Sequence, residues 1–219
     1  MVLGTIIGAR LGHCFFYEPE YYLNHPLEIL KVWRGGLASH GGAIGILLAL
    51  YLFARKVKRP FLWVLDRVVI VTALGGVLIR TGNLMNSEIV GKAANVPWAF
   101  KFIRHDCPPP HECPLDMIPA RHPTQIYEAL TYLLIFLFLY WAYKNLKISK
   151  IHGFLFSMFL ILLFSARFII EFFKAIQVGF EQEMALNMGQ WLSIPFVLFG
   201  LGFLIFYVIP RKNKVKEES

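Results

Sequence analysis

Six long apolar runs, separated by short polar connections, dominate the hydrophobic pattern of the chain. They cover residues 1–17, 41–54, 61–79, 126–143, 153–173 and 191–209. Apolar runs of this kind with few charges predict helices that cross a membrane. The first two runs are short and glycine-rich, so their helices are expected to tilt or to bury polar ends against neighbours. We therefore predict an all-α fold: a polytopic helical membrane protein with about six transmembrane spans in one domain, 1–219.

The basic residues between the runs predict the orientation of the spans. They cluster at 55–59, 144–150 and 211–216, and such clusters favour the cytoplasmic side. The C-terminus is then cytoplasmic. The segments 18–40, 80–125 and 174–190 lie on the outer side, with 80–125 as an outer loop region. Residue 1 falls on the inner side, so we expect one more crossing ahead of it.

The composition fits a membrane protein better than a nucleic-acid-binding protein. Apolar residues make up 57% of the chain and charged residues 16%, against about 45–50% and about 25% in soluble domains. The net charge of +8 could suit nucleic acid, but the basic residues sit in the short connections, as membrane topology requires. No nucleic-acid partner is expected.

Polar residues collect at the outer ends of the predicted spans. Charges and amides at membrane depth are costly and usually serve a function. The set comprises His40, Arg80, Asn83, Asn86, Glu88, Arg121, Gln125, Tyr127, Glu128, Arg167, Glu171 and Gln190. Since several helices bring polar groups to one depth, we predict a shared cavity that opens to the outer leaflet.

Two arginines are candidates for binding an anion. Arg80 and Asn83 share a helix face because they are three residues apart, although a single Arg at a span end is also a common membrane anchor. Arg167 lies inside an apolar run, and Glu171 at i+4 predicts an ion pair with it that holds the bundle together. Two arginines at one depth form a fork suited to phosphate oxygens. The expected phosphate in an outer leaflet is that of an anionic phospholipid.

His40 stands among glycines at the start of the second run. Gly41, Gly42 and Gly45 are explained by tight helix packing through small residues, but His40 is not. A lone His is most often a hydrogen-bonded structural residue. Its position near the predicted arginine level also makes it a candidate for proton transfer.

The connection between the third and fourth runs contains Cys107, His111 and Cys113. Disulfides are chemically allowed on the outer side, and Cys14 lies in an apolar run, so Cys107 and Cys113 are the predicted pair. A metal site using His105 or His111 is the weaker alternative, because the spacing matches no standard zinc pattern.

Six motifs resemble, in order, those of the prolipoprotein diacylglyceryl transferase family. They are Gly8-Ala-Arg-Leu-Gly12, Arg34-Gly-Gly-Leu-Ala-Ser-His-Gly-Gly-Ala-Ile-Gly45, Arg80-Thr-Gly-Asn-Leu-Met-Asn-Ser-Glu-Ile-Val-Gly91, Arg121-His-Pro-Thr-Gln-Ile-Tyr-Glu128, Arg167-Phe-Ile-Ile-Glu-Phe-Phe173 and Met188-Gly-Gln-Trp-Leu-Ser-Ile-Pro195. Each motif alone is modest, but six in family order over nearly the whole chain are specific. Two positions depart from the family pattern: Ser87 stands where Gly is usual, and Val90 where an aromatic residue often stands.

The resemblance implies a membrane-embedded transferase. Its members move the diacylglyceryl group of phosphatidylglycerol to the lipobox cysteine thiol of a prolipoprotein and release glycerol-1-phosphate. The implied location is the bacterial inner membrane, with membrane lipids as surroundings, and no metal or cofactor is required. Family members usually have seven spans, so the resemblance agrees with an N-terminal helix, carrying a functionally important Tyr, ahead of residue 1.

We assign roles to the polar residues as hypotheses within this resemblance. His40, Arg80 and Arg167 are the catalytic candidates, with His40, a carboxylate or the phosphate itself accepting the thiol proton. The set predicted to bind phosphatidylglycerol is Arg80, Asn83, Glu88, Gly91, Arg167 and Glu171, in which Glu171 orients Arg167 and Gly91 permits a turn. The supporting set is Arg34, Arg121, Gln125, Tyr127, Glu128 and Gln190.

An anion or lipid transporter using the same arginines is the alternative function. Buried cations and glycine-rich spans occur in transporters as well. A transport path needs polar groups on both sides of the membrane midplane, whereas these residues cluster at one end of the spans. The sequence also contains no evident inverted repeat, so the pattern favours an enzyme.

Overall fold

The computed structural model describes residues 1–107, 113–175 and 185–211, and these are mostly helical, with only two short strands among them. The predicted all-α class is therefore confirmed. The chain forms two compact units, Met1–Leu65 and Asp66–Ser219. The boundary between them falls within a single helix, Phe61–Met85.

The first unit is built from helices and short turns. Its elements are α1 Val2–Phe16, α2 Pro19–Asn24, 3-10 turns at Pro26–Leu30 and Val32–Arg34, and α3 Ser39–Lys56. Arg10 on α1 is buried and donates hydrogen bonds to the carbonyl oxygens of Glu28 and Ile29, at 2.6 and 3.0 Å, and of Gly35, at 2.6 Å. One guanidinium group therefore fixes the path of the connection between α2 and α3.

Helices α1 and α3 pack through facing glycines. A Cβ atom added to Gly8 would overlap the carbonyl oxygen of Gly41, and one added to Gly45 would overlap that of Gly4. The two backbones are thus in direct contact, which only residues without side chains allow. This confirms the packing interpretation of Gly41 and Gly45.

The second unit contains the remaining helices and one small sheet. Its elements are α4 Phe61–Met85, β1 Phe100–Lys101, α5 Ile103–Asp106, β2 Ala120–Arg121, α6 Thr124–Asn145, a 3-10 turn Lys147–Lys150, α7 Phe154–Ile170, a 3-10 turn Glu171–Phe173, α8 Met188–Phe203 and a π-helical continuation Leu204–Val208. Strands β1 and β2 pair antiparallel, with Phe100 opposite Arg121.

The core of the second unit lies among α4, α6, α7 and the end of the last helix. It consists of Val69, Ile70, Ala73, Tyr132, Ile135, Leu139, Ala142, Phe154, Leu155, Phe159, Leu160 and Val208. Large apolar side chains also cover the outside of the helices, with Leu78, Leu134 and Leu198 each more than 60% exposed. An apolar exterior of this extent is suited to lipid rather than water.

Each of the six predicted apolar runs falls on a helix. Within the described residues, four helices are long and apolar enough to cross a membrane: Phe61–Met85, Thr124–Asn145, Phe154–Phe173 and Met188–Arg211. Helix Val2–Phe16 is apolar but shorter, and α3 covers the second predicted run.

Helix α4, which forms the third predicted span, extends further along the chain than its apolar run indicates. The expected end was residue 79, but α4 continues to Met85 and so contains Arg80 and Asn83. The helix can continue because its polar side chains find partners within the protein. The connection between the third and fourth spans is correspondingly shorter than the predicted 80–125.

We expect the adjacent glycines of α3 to respond differently to a methyl group. Gly41→Ala places a Cβ against the backbone of α1 and should lower the free energy of unfolding by about 1–3 kcal/mol, the usual cost of overpacking. Gly42→Ala gains the same helix propensity, but its Cβ would lie at an ordinary 3.5 Å from the Cβ of Ala9, so it should be neutral or slightly stabilising. Unfolding in mixed micelles measures both, and equal stability of the two variants would contradict the packing account.

Candidate functional site

A network of buried charges joins the ends of three helices in the second unit. Glu128, near the start of α6, is fully buried. One of its oxygens lies 2.9 Å from Nε of Arg80 on α4, and the other lies 3.0 Å from Nζ of Lys174, just after α7. Lys174 also contacts Oε2 of Glu171 at 3.1 Å. The predicted convergence of Arg80, Glu128 and Glu171 is therefore present within this unit.

Lys174 is the member of this network that sequence reasoning missed. It is only 3% exposed, although its position at the end of an apolar run suggests an ordinary cation in the following loop. The backbone holds it in place, since Gly91 and Lys174 form an antiparallel bridge and Ala175 donates a hydrogen bond to the carbonyl of Val90. The available signal was its spacing, because in a 3-10 turn residues i and i+3 lie on one side.

The predicted ion pair between Arg167 and Glu171 is wrong. Glu171 still continues the last turn of α7, with its N–H bonded to the carbonyl of Arg167, but its carboxylate lies against Lys174 and the start of α8. Glu171 instead pairs with Lys174 at i+3. The Nε group of Arg167 is buried without a hydrogen-bond partner.

Arg80 and Arg167 both lie close to the same tyrosine of α6. Arg80, Glu128 and Arg167 all interact electrostatically with the hydroxyl group of Tyr132, which itself lies 3.5 Å from Oε1 of Glu128. Together with Lys174 and Glu171, the group holds three cationic side chains and two carboxylates. It therefore has a formal excess of one positive charge.

Arg80 also begins a polar chain along the end of α4. It donates a hydrogen bond to Oδ1 of Asn83 at 3.2 Å, and Asn83 donates one to Oε2 of Glu88 at 2.8 Å. Asn86 donates to the other oxygen of Glu88 at 3.4 Å. The predicted shared face of Arg80 and Asn83 is thus confirmed, and it extends to the exposed carboxylate of Glu88.

The turn after α4 has a strained backbone that α6 holds in place. Ser87 and Ile89 adopt positive φ values of 56° and 54°, which are costly for residues other than Gly, above all for a β-branched one. Thr124 donates a hydrogen bond to the carbonyl of Ile89 at 3.0 Å, and Gln125 donates to that of Glu88 at 2.6 Å. The predicted supporting residue Gln125 therefore fixes the turn that carries Glu88.

Gly91 is required for close approach. A Cβ at this position would overlap the carbonyl oxygen of His122 and lie 2.9 Å from that of Phe173. Gly91 does not have a positive φ, so the chain path here requires the absence of a side chain and not a left-handed backbone. Its role is to let the segment beside Lys174 pass between two neighbouring backbones.

The start of α8 contacts the charged network at Glu171. Gln190 and Asn187 form a capping box, and the Asn187 side chain also donates to the carbonyl of Glu171 at 3.3 Å. A Cβ on Gly189 would overlap the carboxyl group of Glu171. The Glu171 carboxylate thus lies against the positive end of a helix, where negative charge is favoured.

The remaining supporting residues of the second unit organise the loop region. Arg121 on β2 binds both carboxylate oxygens of Asp106, and this guanidinium holds the pKa of the Asp106 carboxyl below its usual range. Tyr127 accepts a hydrogen bond from the Trp98 indole at 2.7 Å and lies 3.1 Å from Nδ1 of His122. These contacts support the loop and the base of α6.

Cysteine pairing agrees with the prediction. Cys107 and Cys113 form a disulfide, and Cys14 is a buried free thiol. His111, considered for a metal site, lies outside the described residues.

The predicted site residues of the first unit are His40 and Arg34. His40 is exposed at the second position of α3, and its ring contacts those of Phe16 and Tyr17 at centroid distances of 5.5 and 5.8 Å. Arg34 ends a 3-10 turn, and its side chain lies outside the described part of the chain.

A bundle of apolar helices with a network of buried charges at one end is typical of an integral membrane protein. The family model described as prolipoprotein diacylglyceryl transferase matches residues 1–206. The chain therefore belongs to the prolipoprotein diacylglyceryl transferase family and is a multi-pass membrane protein.

Curated relatives carry the same family name. A phosphatidylglycerol–prolipoprotein diacylglyceryl transferase of Chloroherpeton thalassium is 52% identical, over 99% of this chain and 76% of its own length. Those of Tolumonas auensis and Bacteroides fragilis are 50% and 48% identical, over 98% and 97% of this chain and 78% and 76% of their own lengths. Nothing in these comparisons supports the transporter alternative.

We expect Lys174 to be required for stability because it neutralises two buried carboxylates. Lys174→Met should lower the free energy of unfolding by about 3–5 kcal/mol, the cost of leaving a buried charge without its partner. Lys92→Met removes an exposed cation from the same loop region and should change it by less than about 0.5 kcal/mol. If unfolding in mixed micelles gives both variants the same stability, the proposed charge balance is wrong.

Proposed function

We propose that this chain transfers the diacylglyceryl group of phosphatidylglycerol to the lipobox cysteine thiol of a prolipoprotein. Family membership and the names of the relatives support this reaction. We further propose that it does so in the bacterial inner membrane, with the C-terminus in the cytoplasm and the site facing the outer leaflet. The basic clusters at 55–59, 144–150 and 211–216 support that orientation.

The observation that carries the proposal for the site is the buried Nε of Arg167. This atom has no hydrogen-bond partner among the residues that the structure describes, and buried polar groups are rarely left in that state. With Arg167 included, the cluster has a formal excess of one positive charge, because Arg80 and Lys174 are balanced by Glu128 and Glu171. An anionic group with acceptor oxygens would balance this charge and accept a hydrogen bond from Nε of Arg167. A phosphodiester supplies one negative charge and several oxygens.

A neighbouring apolar cavity supports a lipid as the source of the phosphate. It has a volume of about 320 Å³ and is lined by Ser165, Phe168, Ile169, Ile194, Val197 and Leu198. Phe168 and Ile169 directly follow Arg167 on α7. Arg167 is not among the residues that line this cavity, so the cavity offers room for part of a lipid acyl chain on α7 and α8 but does not by itself place that chain beside the arginine.

In this proposal, Arg80 and Arg167 bind the phosphate from two helices. Arg80 is positioned by Glu128 on one side and Asn83 on the other. Lys174 and Arg80 together balance Glu128 and Glu171, so that neither carboxylate cancels the charge of Arg167. Asn83 and Glu88 then face the glycerol headgroup as hydrogen-bonding groups.

The reaction forms one carbon–sulfur bond and breaks one carbon–oxygen bond. The thiol sulfur attacks the carbon of the diacylglyceryl group that is bonded to the phosphate, and the phosphate oxygen leaves with the bonding electrons as part of glycerol-1-phosphate. The thiol proton passes to a base and ends on the leaving phosphate or on solvent. The two arginines stabilise the charge that accumulates on the leaving phosphate oxygen, the kind of fixed electrostatic assistance that contributes most to many enzymes.

His40 remains the proposed acceptor of the thiol proton. Imidazole changes its protonation near neutral pH, and thiolate rather than thiol is the nucleophile. The exposure of His40 and its packing against two aromatic rings support an accessible base.

The activity is tested by incubating the purified chain with phosphatidylglycerol and a lipobox peptide. We expect the peptide mass to rise by one diacylglyceryl group in the same amount as glycerol-1-phosphate is released. A Cys→Ser lipobox peptide is the matched control and should gain no mass. Phosphatidylglycerol consumption without peptide modification would contradict the transferase assignment.

Arg167→Lys should reduce transfer by about 10²-fold, because Lys keeps the charge but loses the forked geometry that binds two oxygens. Arg80→Lys should have a similar effect, although it also disturbs the contact with Glu128. Arg104→Lys changes an exposed arginine of the loop region and should leave the rate near that of the wild type. Near-normal turnover of Arg167→Lys would exclude the phosphate fork.

His40→Gln should lower the rate and remove the limb of the pH–rate profile that depends on a neutral imidazole. The rate of the wild type is expected to rise with pH as a general base loses its proton, whereas that of the variant should not. An undiminished rate with an unchanged profile would eliminate His40 as the base.

A further inference from the structure

The second unit contains a buried carboxylate outside the charged network. Asp66 lies in the second turn of α4 and is only 2% exposed. Its oxygens accept hydrogen bonds from the backbone N–H groups of Gly153 and Phe156, at 2.7 and 2.9 Å. A carboxylate that α4 supplies therefore binds the first turn of α7.

Helix α7 needs this carboxylate because it cannot cap itself. Its N-cap residue is Gly153, in a left-handed conformation with φ of 99° and without a side chain. The first N–H groups of a helix have no partner within the helix, and a negative charge is favoured at this end. Asp66 supplies from another helix what Asp or Ser usually supplies from the N-cap position itself.

The same contact fixes the relative height of two helices. Arg80 follows Asp66 by 14 positions on α4, and Arg167 follows Gly153 by 14 positions on α7. Both stretches are continuous helix, so each arginine lies about 21 Å along its helix from the Asp66 contact at 1.5 Å per residue. The two helices run in the same direction, since their far ends meet through Glu128 and Lys174.

We infer that Asp66 is a positioning residue that sets the axial register of α4 and α7 and so brings Arg80 and Arg167 to one level. Glu128 fixes Arg80 directly through an ion pair, whereas Arg167 forms no ion pair with Glu128. Arg167 therefore depends on the register of α7. A shift of α7 by one residue would move Arg167 by about 1.5 Å along the axis and by about 100° around it. That the shared level serves one phosphate rests on the proposed function, whereas the register itself does not.

A double-mutant cycle tests whether Asp66 acts through Arg167. The variants are Asp66→Asn, Arg167→Lys and the pair, and the readout is the affinity of the solubilised protein for a short-chain phosphatidylglycerol. We expect Asp66→Asn to weaken binding by about 10-fold alone and by less than about 2-fold in the Arg167→Lys background, because residues coupled through one contact are not additive. Equal fold losses in both backgrounds would overturn the inference.

Ser157→Ala is the matched control for general damage to α7. The Ser157 hydroxyl is buried and donates to the carbonyl of Gly153 at 2.6 Å, a contact within α7 alone. This variant should lower the melting temperature without changing the affinity. A loss of affinity equal to that of Asp66→Asn would show that any weakening of this helix end has the same effect, and would overturn the assignment to Asp66.

The register can also be measured without reference to the reaction. Spin labels at the exposed positions Ile79 and Ile169, introduced as Ile79→Cys and Ile169→Cys in a Cys14→Ser background, report the separation of the helix ends beside the two arginines. We expect Asp66→Asn to shift or broaden the distance distribution and Ser157→Ala to leave it unchanged. An unchanged distribution in Asp66→Asn would overturn the register inference even if transfer activity is present, and a shift would support it even if transfer is absent.

Discussion

Glu128 holds the charge balance of the second unit, because its fully buried carboxylate is shared by two cations from different helices. Arg80 approaches one oxygen and Lys174 the other. A buried carboxylate without partners would be strongly unfavourable, so α6 can bury Glu128 only while α4 and the end of α7 supply those cations. The contact therefore joins three helix ends and selects which side chains face the site.

The rest of the site follows from how this charge is compensated. Lys174 also neutralises Glu171, whose carboxylate lies at the start of α8 where Gly189 leaves room for it. Two cations are thus engaged by carboxylates, while the buried Nε of Arg167 is not. In the proposed function, this difference between Arg167 and the two paired cations is what allows the cluster to bind an anion.

Much of this arrangement could be predicted from sequence because charges are conspicuous in apolar runs. Arg80, Glu128, Arg167 and Glu171 stand out for that reason, and their level follows from the ends of the runs. The partners do not follow, because they depend on local backbone geometry. The 3-10 turn after Ile170 brings Lys174 to the carboxylate of Glu171. Asp66 binds backbone N–H groups, which every residue has, so the sequence does not indicate this contact.

The central claim is that Arg80 and Arg167 recognise the phosphate of a phospholipid. It is tested most directly by comparing the affinity of the solubilised protein for dioctanoyl phosphatidylglycerol and for dioctanoylglycerol, which has the same chains without the phosphate. The wild type should prefer the phospholipid by about 10–100-fold, since hydrogen bonds to charged groups contribute about 1.5–3 kcal/mol, and Arg167→Leu should lose most of this preference. An equal preference in the wild type and in Arg167→Leu would contradict the account.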